Sequence, residues 1–147
     1  MQASLWLAQL EKLEWFIAKR RENFDYLKSK FIENWIDKYF ILPKETPNSE
    51  ASWFGFVLSL KEWLSFSRED LLKYLNDNKV WTRLLFAWNY LKQPAFINYV
   101  KDYRVIWDLK NTDYIMNNTF WIWVFPWLDK EKLDYVILKI KEFLNGK

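Results

Sequence analysis

A small α+β layer, one sheet with helices packed on a face, is the architecture this sequence predicts. Two observations carry it. Three short stretches, 53–60, 80–86 and 120–125, are rich in aromatic and β-branched residues and read as strands. Between and around them lie segments of helical period. The 147 residues suit one domain of ordinary size.

The elements follow in order. Leu10, Leu13, Ile17, Phe24, Leu27 and Phe31 form one helical stripe with charges on the other face, so a long helix is expected over 2–34. Phe40 to Leu42 is a short apolar stretch closed by Pro43, and 44–52 is a polar loop holding Pro47. After the first strand, Ser67 reads as an N-cap with Asp70 at N3 and Phe66 placed to staple onto Leu71; that helix runs to Asp77. The second strand follows, then 87–108 reads mostly as loop. Asn111 or Thr112 opens a short helix to Asn118, and the third strand comes next. Asp129 caps the last helix, with Leu128 stapling Leu133, and Leu133, Ile137, Ile140 and Leu144 line its buried side.

Composition excludes several chemistries. With no Cys there is no disulfide frame, thiolate nucleophile or thiolate metal site in this chain. With no His, serine–histidine, cysteine–histidine and zinc–histidine sites are absent from it too. A net charge of +3 gives weak support for an anionic ligand and none for a dedicated nucleic-acid binder. The start, Met1-Gln2-Ala3-Ser4, has no basic n-region, so no signal peptide is read. The longest apolar run, 120–128, falls far short of the ~20 residues of a membrane span. Helical period begins almost at once, as if the chain opened inside a larger protein.

Trp and Gly usage is out of balance. The chain has 11 Trp and only 2 Gly, where roughly 7% Gly is usual. Several Trp stand where the backbone asks for Gly: Trp35 and Trp81 after helices, and Trp127 directly after Pro126. Gly suits such places because it reaches φ > 0 without a Cβ clash.

No glycine-rich phosphate loop exists, since Gly55 and Gly146 stand alone. No carboxylate pair stands out, and Arg20-Arg21 reads as a solvated helix face. The Trp set resembles a carbohydrate-stacking platform in kind, although its scatter over helices, strands and loops argues against one. The segment 82–96 is different. Arg83, Asn89, Lys92 and Gln93 are polar groups in or beside an apolar strand-to-loop stretch. They suit either the phosphates or hydroxyls of a ligand, or a loop satisfied by its own hydrogen bonds.

That segment, Thr82-Arg83-Leu84-Leu85-Phe86-Ala87-Trp88-Asn89-Tyr90-Leu91-Lys92-Gln93-Pro94-Ala95-Phe96, has two companions. They are Ser52-Trp53-Phe54-Gly55-Phe56 and Asn111-Thr112-Asp113-Tyr114-Ile115-Met116-Asn117-Asn118-Thr119-Phe120-Trp121-Ile122. Together they resemble the C-terminal part of the DegT/DnrJ/EryC1/StrS family, vitamin B6-dependent sugar aminotransferases and dehydrases. The start 1–10 resembles that family's Met-Gln-Ala-Ala-x-Gly-x-Ala-Gln-Leu helix opening, and the resemblance covers essentially the whole chain. It is nearest to the lipopolysaccharide-biosynthesis branch, 3-dehydrases of CDP-4-keto-6-deoxyglucose. The resemblance implies the small C-terminal domain of the aspartate-aminotransferase (type I pyridoxal phosphate) fold. Residues 1–34 would form a long helix leading in from a missing large cofactor domain, and 35–147 the small domain.

It further implies that Trp53 and Phe54 face cofactor and sugar, and that Arg83, Phe86, Asn89 and Gln93 line the substrate side. Related aminotransferases often place His where Phe54 stands, which favours the dehydrase branch. The Schiff-base Lys (His in the dehydrases), the Asp at the pyridinium nitrogen and the iron–sulfur Cys ligands of the dehydrases would lie upstream. The fragment then has no catalytic residue and no metal site of its own, and is expected to be inactive alone. Pyridoxal or pyridoxamine phosphate is the implied cofactor, bound mainly by the missing domain. A nucleotide-linked 4-keto-6-deoxy sugar is the implied partner. A cytoplasmic homodimer is expected at full length, with no nucleic acid or membrane. The alternatives are a sugar aminotransferase of the same family, or a non-catalytic aromatic-rich glycan-binding domain.

The family pattern has Gly at positions matching Trp6, Trp81, Trp88, Trp107, Trp123 and Trp127, and Gly would suit Trp15, Trp35 and Trp63; Trp53 and Trp121 match Trp. Nine UGA codons read as tryptophan in place of glycine would account for the pattern, with Met1 internal to a longer protein.

Overall fold

The computed structural model describes residues 2–86 and 89–147. Four antiparallel strands form one sheet in the order β1-β2-β4-β3: β1 Phe40–Ile41, β2 Gly55–Leu60, β3 Thr82–Leu84 and β4 Thr119–Trp123. The helices are α1 Gln2–Leu10, α2 Leu13–Glu33, α3 Arg68–Asp77, α4 Pro94–Tyr99, α5 Lys110–Asn118 and α6 Lys130–Asn145.

The core lies on one face of the sheet. Alternation along the strands sends Phe56, Leu58 and Leu60 of β2 and Phe120 and Ile122 of β4 to that side. Helices α2, α3 and α6 meet them with Phe24, Leu27 and Phe31, Leu71 and Leu75, and Leu133, Ile137, Ile140 and Leu144. Edge-on ring contacts of Phe31 with Phe40 and Phe56 tie α2 to β1 and β2.

The expected caps formed where their side chains were legible. Ser67 and Asp70 make the reciprocal capping box of α3, and the Asp129 carboxylate accepts from the Lys132 amide at the start of α6. Phe66 is buried in the same core as Leu71, and Leu128 packs against it beside Leu133.

Other expectations need correction. The helix over 2–34 is broken at Glu11–Lys12 into α1 and α2. Only the second half of its stripe is buried; Leu10 and Leu13 stay exposed, because among the described residues no element packs on them. The strand at 80–86 shortens to 82–84, and the apolar stretch before Pro43 becomes the edge strand β1, pairing Phe40 with Leu60. Pro94 opens a short helix, α4, inside the supposed loop. Helix α5 starts at Lys110 from Leu109, which is left-handed (φ 52°), rather than from an Asn111 or Thr112 cap.

The Gly-type seats divide. Trp35 follows α2 with φ 59° and donates its N–H to the Ile32 carbonyl, the left-handed stop that favours Gly. After α3 the corresponding seat is held by Lys79 (φ 64°), whose amide and that of Val80 close the helix on Asn76 and Leu75. Trp81 has an ordinary φ and leads into β3. Trp127 also lacks a positive φ, so the turn closed by the Leu128 N–H on the Phe125 carbonyl is of type I, not type II. Trp88 lies outside the described residues.

Candidate functional site

The face of the sheet opposite the core carries the candidate site. Register places Val57 and Arg83 on either side of Trp121, and directly paired residues point to the same face. Trp121 is only 7% exposed although it turns away from the core. Its ring lies over Gly55, where an added Cβ would come 2.5 Å from the indole. Phe54 stands edge-on to it with centroids 5.0 Å apart, and Trp123 does so at 4.6 Å. Gly55 is thus required by close approach of the indole.

Phe54 is half exposed on this shelf, and Arg83, paired with Trp121 from β3, is exposed with no hydrogen bond or ion pair among the described residues. An aromatic wall next to an unpaired guanidinium suits a planar or sugar-like body that carries anionic groups. The buried Trp121 Nε1 meets no acceptor among the described residues, and neither does Trp53 Nε1.

The other sequence-selected residues are placed differently. Trp53 stacks on Phe24, rings 5.2 Å apart and 10° from parallel, away from the Trp121 shelf. It borders a small cleft of about 150 Å³ with Arg21, Asp25, Glu45 and Glu50. Phe86 is exposed and left-handed (φ 50°). Asn89 is buried, accepting from the Leu91 amide and donating to the Asp113 carboxylate. Lys92 also reaches Asp113, at 2.9 Å, and the bonds from Lys92 and Asn89 hold that carboxyl below the usual range. Gln93 is half-buried between the one-turn helix Tyr90–Lys92 and α4, as the N-cap position of α4. So Phe54 and Arg83 come together around Trp121, while Asn89 and Lys92 anchor the 89–99 segment to α5.

Sequence reasoning did not select Trp121, Gly55 or Asp113. Residues 120–125 are all apolar, so no polar alternation there marks Trp121 as opposite the core, and nothing local marks Asp113. At the other end of the sheet, the buried Arg68 donates to the carbonyls of Met116 and Thr119, and the Tyr114 hydroxyl donates to the Leu60 carbonyl. Burial, with Glu62 nearby, pushes the Tyr114 phenol up. These bonds fix α5, and with it Asp113, against the sheet.

A groove of about 810 Å³ lies elsewhere, between α6 and the ends of β3 and β4; Trp81 and Trp123 wall it, and Phe54 and Arg83 do not line it. Among the described residues the Trp–Trp contacts are two edge-on pairs, Trp15 with Trp127 and Trp121 with Trp123. No cluster of His, Cys, Asp or Glu suited to a metal is found among the described residues, and no helix is long and apolar enough to cross a membrane.

A four-stranded antiparallel sheet packed with helices is the small α+β unit that the sugar-enzyme resemblance implied. The model of the DegT/DnrJ/EryC1/StrS aminotransferase family matches residues 1–141, and the chain belongs to that family. The chain is 49% identical over 145 residues to the lipopolysaccharide biosynthesis protein RfbH of Salmonella typhimurium, covering 99% of this chain and 32% of that protein. It is 36% identical over 144 residues to the dTDP-4-dehydro-2,6-dideoxy-D-glucose 3-dehydratase of Saccharopolyspora spinosa, covering 98% and 30%. Among solved structures, the Escherichia coli GDP-4-keto-6-deoxy-D-mannose-3-dehydratase with bound hydrated PLP superposes with TM-score 0.78 and 29% identity, covering 91% of this chain and 33% of that one. The chain spans about a third of the length of these relatives.

Proposed function

We propose that the chain is the C-terminal part of a pyridoxamine/pyridoxal phosphate-dependent nucleotide-sugar 3-dehydrase of deoxysugar and lipopolysaccharide O-antigen biosynthesis. The observation that carries this reading is the 49% identity, over 99% of the chain, to a lipopolysaccharide biosynthesis protein. The nucleotide-sugar 3-dehydratases among its other relatives support the reaction class.

The residues present fit one wall of such a site. Phe54 and Trp121 give an apolar ring surface, Arg83, without a partner among the described residues, gives a cation for phosphate or hydroxyl groups, and the Trp121 Nε1, which meets no acceptor among them, gives a buried donor. The cofactor, when bound, supplies the electron sink. This chain's share is to bind and orient the sugar. Phe54 packs against its apolar side, Arg83 neutralises charge, and Phe86 and Gln93 close the substrate side. Trp53, stacked on Phe24 at the Trp123 end of the sheet, lies at the opposite end from Phe86 and takes part in the site only through the groups the missing domain brings to it. Asn89 acts through Asp113, holding the segment that carries Gln93. Residues 1–34 lead in from the large cofactor domain, whose side chains complete the site; the fragment alone is inactive. The exposed apolar side chains of α1, Leu5, Leu7 and Leu10, support the view that this helix continues into that domain. The full-length protein is a cytoplasmic homodimer in this reading.

The test is the full-length protein with CDP-4-keto-6-deoxyglucose and pyridoxamine phosphate. Loss of the C3 hydroxyl without net amino transfer is expected. Stoichiometric transfer of an amino group to the sugar would instead make it an aminotransferase. Arg83→Ala should raise KM for the nucleotide sugar by about tenfold or more, as loss of a charge-assisted hydrogen bond of ~1.5–3 kcal/mol predicts.

A further inference from the structure

The anomalous tryptophans sort by burial and by backbone. The eight described members of the set, Trp6, Trp15, Trp35, Trp63, Trp81, Trp107, Trp123 and Trp127, are all exposed, from 40% to 88%. The remaining two behave as tryptophans do. Trp121 is 7% exposed beneath Phe54 and Trp123, and Trp53 is half-buried in a parallel stack on Phe24. Trp is on average a highly buried residue, because its ring carries so much apolar area. A fold that buries one, half-buries another in a ring stack and leaves eight exposed is treating them as two kinds of residue.

The backbone says what the second kind is. Trp35 and Trp107 sit at φ 59° and 72°, in the left-handed region that favours Gly. Trp35 occupies the position after the α2 C-cap, with its N–H on the Ile32 carbonyl and Ile36 buried just beyond, the place where Gly ends helices. Among the described residues six non-Gly residues have positive φ and no Gly does. At Trp6, Trp15, Trp63, Trp81, Trp123 and Trp127 the backbone is ordinary, and exposure carries the argument. An interface with the missing two-thirds of the protein would cover exposed rings. It does not account for the left-handed backbone at Trp35 and Trp107, although Lys79 shows that this fold also seats a side chain in such a stop after α3.

We propose that the protein made in the cell carries glycine at Trp6, Trp15, Trp35, Trp63, Trp81, Trp107, Trp123 and Trp127, their codons being UGA read there as glycine. Trp88, outside the described residues, joins them on sequence alone. Trp53 and Trp121 are true tryptophans encoded by UGG. The groove beside α6 then loses the two indoles, of Trp81 and Trp123, that wall it. The Phe54–Trp121–Arg83 shelf keeps Trp121, Gly55 and Phe54 and loses only the Trp123 edge. The inference stands apart from the proposed enzymatic reaction, since neither φ nor exposure depends on it.

The test reads the codons in the gene and the peptides of the protein isolated from the cells that make it. Expected are UGA at most of the nine positions, UGG at positions 53 and 121, and tryptic peptides whose masses carry a glycine residue at the UGA positions. UGG at most of the nine overturns the proposal. So does UGA accompanied by peptides of tryptophan mass, which would mean that UGA is read as tryptophan.

Discussion

Replacing Trp35 by glycine and, separately, by alanine isolates the backbone term at the end of α2. Trp35 has φ 59° and ψ 21°, its ring is 67% exposed, and its contact is the Lys38 ammonium, 4.5 Å from the ring centroid. Both replacements remove that cation–π contact, worth ~0.5–1 kcal/mol at an exposed site, so it cancels between them. Alanine keeps the β-carbon and with it a left-handed cost on the order of 1–2 kcal/mol. Glycine relieves that cost and gives back ~0.5–1 kcal/mol through the greater freedom of the unfolded chain. Trp35→Gly should therefore exceed Trp35→Ala by about 0.5–1 kcal/mol. A kcal/mol corresponds to ~2–4 °C in a domain of this size, so the midpoints should differ by roughly 1–4 °C. At Trp81, where φ is ordinary, the order should invert and Trp81→Ala should be the more stable. The measurement is urea and thermal unfolding of the four variants followed by far-UV circular dichroism. Equal or greater stability of Trp35→Ala would refute the reasoning, because the β-carbon would then carry no cost at that position.

Gly55→Ala should destabilise by ~1–3 kcal/mol through overpacking against Trp121, and the near-UV dichroism of the buried indole should change with it. Arg68→Met should cost ~1–3 kcal/mol for each carbonyl left without its donor, Met116 and Thr119, read as a lower urea midpoint. The carboxyls of Asp113, Asp70 and Asp129 sit below the usual range, held by Lys92, by the Ser67 backbone and by Lys132 respectively. A depressed folded pKa means that the unfolded state binds more protons below its own pKa near 4. Their contribution is therefore full above that pH and is lost as pH falls through the folded values. The urea midpoint should be flat between neutral pH and about 5, fall below about 4, and fall less steeply in Asp113→Asn. The isolated 147-residue chain should show no stoichiometric pyridoxal phosphate absorbance shift and no turnover of a nucleotide sugar; saturable binding at full occupancy would contradict the placement of the cofactor site upstream.

The local chemistry of this chain was determined by sequence alone. The Ser67–Asp70 and Asp129 caps formed because each side chain satisfies amides within its own first turn, a condition visible within four residues. The α6 stripe followed from periodicity for the same reason, and the strands expected over 53–60 and 120–125 from their aromatic and aliphatic residues formed over 55–60 and 119–123. The family was legible because three motifs stand in order over the whole chain. Tertiary structure alone decided the rest. The helix expected over 2–34 broke at Glu11–Lys12, and Leu5, Trp6, Leu7 and Leu10 of α1 stayed exposed among the described residues. Strand β1 exists only because Leu60 and Ser59 lie alongside it. Asn89, polar beside an apolar strand, suited a ligand as well as a loop until Asp113, distant in sequence, was found bonded to it. Trp121 became the centre of the candidate site only through register, which put Arg83 and Val57 at its sides and Gly55 beneath its ring. Caps and periods depend on neighbours along the chain; pairings across a sheet depend on residues that the sequence holds far apart, and only folding brings them within bonding distance.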